Sequence, residues 1–166
     1  MGIFNTIDVI RAALILVLIY LSYIDLRSFR LPDAITLPLL VLGLCFNSFS
    51  SLRFVKIESA LWGAILGYGV LWFLNLFYRF IKKQDGIGMG DAKLLAALGA
   101  WLGWTVLPSL LLIASIAGIF GGLIYLQWQR QNTRSAFPFG PFLAFAGIIE
   151  LLWPQFIPQL LPSNLS

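Results

Sequence analysis

Two acids, Asp25 and Asp91, are the residues of this chain best suited to chemistry. Each stands at the end of an apolar segment, and Asp91 closes the run Gly88-Met89-Gly90-Asp91. An ionisable group within or at the edge of a membrane span is costly to keep there and marks a functional site by default. Two carboxylates that meet cannot both ionise cheaply, so they share a proton and titrate as a pair. The ionised member can take a proton from water as that water attacks a peptide carbonyl, while the protonated member donates to the carbonyl oxygen. Glycines before Asp91 would let backbone approach a substrate closely. A helix cap is the competing role for Asp91, because Asp is common at helix starts.

The rest of the composition narrows the choice of chemistry. The chain has no histidine, which excludes Ser-His and Cys-His catalysis and the helical HExxH zinc site. Its single cysteine, Cys45, lies in an apolar stretch and reads as a buried core thiol rather than a nucleophile. Carboxylates must therefore do the proton work, and the scheme calls for no metal and no cofactor.

These acids must be positioned by helices. Of 166 residues 60% are hydrophobic and 11% charged, with mean hydropathy +0.90, whereas a soluble domain carries about 25% charged residues. Spans of about 20 apolar residues fit the chain as six helices. They run about Ile7 to Ile24, Pro32 to Phe49, Ile57 to Phe80, a short fourth from Asp91 to Val106, Pro108 to Gln127, and a sixth from Phe139-Gly140-Pro141 to near Pro158. The expected architecture is an all-α polytopic membrane bundle forming one domain over residues 1–166, without a soluble second domain or a cleavable signal peptide. Gly63/Gly67, Gly99/Gly103 and Gly118/Gly122 are four apart, a spacing that lets helices pack closely in lipid.

Charge orients the bundle. The connections after the first, third and fifth helices, with the start of the fourth, carry eight cations: Arg27, Arg30, Arg79, Lys82, Lys83, Lys93, Arg130 and Arg134. The opposite set carries Arg11, Arg53 and Lys56. Because basic residues stay cytoplasmic, both termini are expected outside, with Asp25 and Asp91 together on the cytoplasmic side. The net charge of +4 then reflects basic loops rather than a nucleic-acid partner.

The remaining polar residues read mostly as structural. Asp33 suits the first turn of a helix, and Asp85 falls in a basic loop. Lys93, one turn into the fourth helix and near Asp91, could hold a carboxylate ionised or extend to the interface. Glu150, near the middle of the sixth helix, should face the bundle, protonated or hydrogen-bonded.

Three stretches carry a resemblance. YIDLRSFRLPDAITLPLLVLGL (Tyr23 to Leu44), GIGMGDAKLLAALGAWLGW (Gly86 to Trp104) and Phe137-Pro138-Phe139-Gly140-Pro141 resemble, in order, three recurring segments of the type IV prepilin peptidases. The resemblance implies a bacterial inner-membrane aspartic endopeptidase with Asp25 and Asp91 catalytic. Gly88, Met89, Gly90, Lys93, Phe139, Gly140 and Pro141 would bind substrate or support the pair. The implied partner is a prepilin-like membrane protein with a short basic leader, cut at the cytoplasmic face. Many family members also carry a cytoplasmic domain with paired CxxC motifs associated with methylation. This sequence has no such cysteines, so cleavage without methylation is expected. Other Gly-x-Gly-Asp membrane proteases, of the preflagellin or signal-peptide type, and a small transporter or channel using Asp25, Asp91 and Glu150 as a proton or cation path remain as alternatives.

Overall fold

The computed structural model describes residues 6–82, 88–128 and 139–153. The described residues form a bundle of six α-helices: α1 (Thr6–Ser28), α2 (Asp33–Phe49), α3 (Ile57–Lys82), α4 (Met89–Leu102), α5 (Leu107–Trp128) and α6 (Gly140–Leu152). Stretches of α1 and α3, and the stretch Trp104–Leu123, are long and apolar enough to cross a membrane. Their outer faces are consistent with lipid contact: Leu16 and Ile19 on α1, Phe73 and Phe77 on α3, and Ile119 and Phe120 on α5 are all exposed.

The shortest way into the architecture is α4. Its fourteen residues span about 21 Å at 1.5 Å per residue, well under the ~30 Å of a bilayer's hydrocarbon core. Asp91, Ala92 and every residue from Leu94 to Trp101 are buried, as expected of a helix that is apolar all round. It packs most extensively on α3 and then on α2, while α1 and α5 reach the bundle chiefly through α6.

Glycine makes the α3–α4 contact possible. A Cβ on Gly63 would collide with the Gly99 backbone and one on Gly99 with the Gly63 backbone, while Gly67 lies against the Leu95 carbonyl. Side chains are thus absent where the two helix backbones cross, the arrangement small residues permit in lipid. On α5 it is Gly121 that meets α6, at the Phe142 ring.

The α2–α4 contact is polar as well as apolar. The Trp101 ring lies over Gly43, and its Nε1–H donates to the Leu39 carbonyl at 2.9 Å. Asn47, fully buried, donates to the carbonyls of Ala100 (2.8 Å) and Trp101 (3.1 Å) and accepts from the backbone N–H groups of Phe54 (3.0 Å) and Val55 (3.2 Å). One amide therefore satisfies groups of the last turn of α4 and of the 50–56 connection, which would otherwise be buried without partners.

Several helix ends differ from the sequence expectation. The first helix does not stop at Asp25. It continues one turn to Ser28 and closes at Phe29, which takes a left-handed conformation (φ 52°) and donates its N–H to the Asp25 carbonyl at 2.8 Å. The second helix starts at Asp33, with Pro32 as its extended N-cap. The fourth starts at Met89, so Asp91 lies within its first turn, and it breaks at Gly103 rather than reaching Val106. Gly103 has φ 85°, open to glycine, and residues Trp104–Val106 form a 3₁₀ turn leading directly into α5. The sixth ends at Leu152: Trp153 precedes Pro154 and has left the helical region (φ −128°, ψ 82°), as a following proline disfavours helical dihedrals. Glu150 accordingly lies in the last turn of α6, not its middle. The expected loops around Asp85 and around Arg130 and Arg134 lie outside the described residues, as do Phe137 and Pro138.

The glycine crossing yields a direct prediction. Gly99→Ala should destabilise the chain by about 1–3 kcal/mol through overpacking. Gly69→Ala, where nothing lies within 4 Å of the added methyl, should be neutral or slightly stabilising. Denaturant unfolding in detergent micelles compares the two.

Candidate active site

Asp25 and Asp91 come together at one end of the bundle. Asp25 is carried in the last turn of α1 and Asp91 in the first turn of α4, and they are 4% and 7% exposed. The Asp25 charge acts electrostatically on Asp91. The 3.1 Å hydrogen bond from the Asp91 N–H to the Gly88 carbonyl forms the first turn of α4.

Residue 140 brings a third element in. The Gly140 backbone N–H, at the start of α6, interacts with the Asp25 carboxylate. A Cβ on Gly140 would stand 2.5 Å from Asp25 Oδ2 and 3.2 Å from Leu31 Cδ1. A Cβ on Gly90 would stand 2.9 Å from the Leu31 Cβ. Leu31 is therefore the spacer between α6 and the Gly88-Met89-Gly90 segment, and glycine on both sides of it lets the two helix N-termini close on one side chain. Pro141 in the first turn of α6 costs nothing, because N–H groups there have no helical partner. Asp25 Oδ2 is buried and has no hydrogen-bond partner among the described residues. An unmet acceptor in that position carries a free-energy cost and is open to a donor such as a water or a substrate amide.

The remaining candidates divide. Gly88 and Met89 are exposed beside Asp91, and Phe139 is half-buried before α6. Lys93 points to a different acid: its Nζ donates to both oxygens of Asp33, at 2.6 and 2.7 Å, tying the start of α2 to α4. Glu150, 2% exposed, lies at the far end of the bundle, where it accepts the Ser109 hydroxyl. No cluster of three or more metal-ligating side chains occurs among the described residues.

One site neighbour had no place in the sequence reading. Asn75, a buried amide on α3, donates Nδ2–H to the Met89 sulfur at 3.9 Å and so links α3 to the start of α4, two residues before Asp91. Its signal was available, as a lone amide in an otherwise apolar stretch, Leu71 to Phe77.

Sequence comparison adds an independent line. Residues 12–123 match the Type IV leader peptidase family. The prepilin leader peptidase/N-methyltransferase of Stutzerimonas stutzeri is 46% identical over 82% of this chain and 46% of its own length. The proteins of that name from Aeromonas hydrophila and Aeromonas salmonicida (strain A449) are 46% and 51% identical, covering 92% and 89% of this chain and 53% and 51% of their own lengths. The chain thus spans about half the length of the curated relatives it matches. No solved structure matches it.

The Lys93–Asp33 pair is bidentate yet open to its surroundings, with Asp33 57% exposed. Exposed pairs contribute about 0.2–1 kcal/mol. A double-mutant cycle of Lys93→Met and Asp33→Asn, read by unfolding in detergent, should return a coupling within that range.

Proposed function

Because the chain belongs to the Type IV leader peptidase family, we propose that it is a membrane aspartic endopeptidase that removes the short leader of a prepilin-like protein. The single observation that carries this reading is the convergence of Asp25 and Asp91, both buried, from the end of α1 and the start of α4. In the proposed reaction one carboxylate accepts a proton from the attacking water while the other carboxyl donates to the peptide carbonyl oxygen. The tetrahedral intermediate then collapses: the proton gained from water passes to the leaving amine, and a hydroxyl proton of the intermediate returns to the donor carboxylate as the new carboxyl group forms. Burial suits this use, since a shared proton is held by two groups that cannot both be charged cheaply in a low dielectric. The N–H of Gly140 orients Asp25, and the side-chain-free, exposed Gly88 leaves room for an extended substrate backbone beside Asp91.

The cation distribution supports cleavage at the cytoplasmic face of a bacterial inner membrane, with both termini outside. The tightness around Leu31 favours a substrate with glycine at the cut, so selection rests on size. The leader's basic residues would engage anionic lipid, at about 1 kcal/mol each. A proton or cation path through the bundle is less well served. Between the aspartates and Glu150 the core is packed with Leu18, Leu94, Leu98 and Leu143, none more than 3% exposed.

A pair that acts as one unit gives non-additive losses. In a cleavage assay with a prepilin-like substrate in proteoliposomes, Asp25→Asn and Asp91→Asn should each lower turnover at least about a hundredfold. The double variant should be scarcely worse than either, with helical content unchanged by circular dichroism. Near-parental turnover in either single variant removes that residue from the pair.

A further inference from the structure

The end of the bundle away from the aspartates holds a cavity, mostly apolar but with charged groups in its wall, that the proposed cleavage does not use. Its volume is about 270 Å³, and Arg11, Arg53, Thr105 and Glu150 line it together with apolar residues such as Ile7 and Val106. Three helices fix its place. Arg11 lies near the start of α1, whose last turn holds Asp25. Leu102, also in the lining, ends α4, whose first turn holds Asp91. Glu150 lies in the last turn of α6, which begins at Gly140. Along α1 the fourteen residues from Arg11 to Asp25 correspond to about 21 Å, so the cavity lies at the opposite end of the bundle from the aspartates.

This cavity has rigid walls. The Arg11 guanidinium stands 5.8 Å from the centroid of the Phe54 ring, a cation–π distance. Phe54 is held in turn: its N–H is bound by Asn47, and its ring meets Phe46 edge-on at 5.3 Å. The Glu150 carboxylate is fixed by the Ser109 hydroxyl. Arg11 and Arg53 form no ion pair among the described residues. An arginine on a membrane-length apolar helix is expensive to keep and points to a partner for its charge.

We propose that this cavity binds the headgroup of a phospholipid, its phosphodiester between Arg11 and Arg53 and its hydroxyl groups toward Thr105 and Glu150. The guanidinium fork matches phosphate oxygens in a bidentate way that an ammonium does not. The apolar lining suits the glycerol and upper acyl carbons. Two arginines against one carboxylate leave a net single positive charge, which favours a monoanionic headgroup bearing hydroxyls. Phosphatidylglycerol has that chemistry. Phosphatidylcholine lacks both the net charge and the hydroxyls.

The test uses the purified chain in uncharged detergent with short-chain phosphatidylglycerol or phosphatidylcholine, read by native mass spectrometry and thermal unfolding. One phosphatidylglycerol should stay bound per chain and raise the unfolding temperature, and phosphatidylcholine should do neither. Arg11→Gln and Arg53→Gln should each weaken phosphatidylglycerol about tenfold, the loss of one charge-assisted contact. Arg53 is exposed in the 50–56 connection, so its variant decides the matter even if Arg11→Gln fails to fold. Equal retention by Arg53→Gln and the parent chain would overturn the proposal, leaving only lipid of the surrounding annulus. Displacement of the lipid by millimolar inorganic phosphate would also overturn it, marking a site for a soluble anion.

Discussion

The contact between α3 and α4 at Gly63 and Gly99 underlies the whole arrangement. With no side chains between them, the backbones come close enough for a fourteen-residue helix to be enclosed by longer neighbours. Asp91 sits buried in the first turn of that enclosed helix. Trp101 and Asn47 then secure the other end of α4 against α2, so the position of Asp91 is determined from both ends of its helix. On its remaining side α4 meets α6, where Gly147 lies against Leu98 of α4 and Leu18 of α1. That packing brings the first residue of α6 to Asp25.

Much of this was legible from residue types. Long apolar stretches, prolines near helix starts and cation asymmetry indicate a helical membrane bundle without reference to any structure. The two acids draw attention because charge is expensive in that setting. What the sequence could not convey was pairing. Glycines four apart show that a helix can be approached closely, but not which helix approaches it. The meeting of Gly63 with Gly99 was therefore out of reach. Lys93 is nearer in sequence to Asp91 than to Asp33, yet a flexible side chain takes the acid that the fold presents, and here that acid begins α2. Helix ends were misjudged where the determinant was conformational. A left-handed Phe29 ending α1 has no signature in composition, since glycine is the usual residue there.

The two ends of the bundle carry different chemistry. At one end acids are gathered where helix N-termini converge. At the other, arginines and a buried glutamate surround a cavity. Leucine packing separates the two, and the same helices, α1, α4 and α6, supply residues to both. The aromatic group of Phe46, Phe54 and Trp101 joins the cavity wall to the end of α4. Occupancy of the cavity would thus bear on the helix that carries Asp91, while leaving the aspartates themselves untouched.

The central claim is spatial: Asp25 and Asp91, 66 positions apart, share one site. Proximity crosslinking tests it without depending on any substrate. In a chain with Cys45 replaced by serine, cysteines at 25 and 91 should be joined within one chain by a short bifunctional thiol reagent in native membranes. Cysteines at 11 and 91, on the same two helices but at opposite ends, should not. Crosslinking of the 11–91 pair in preference to 25–91 would contradict the account.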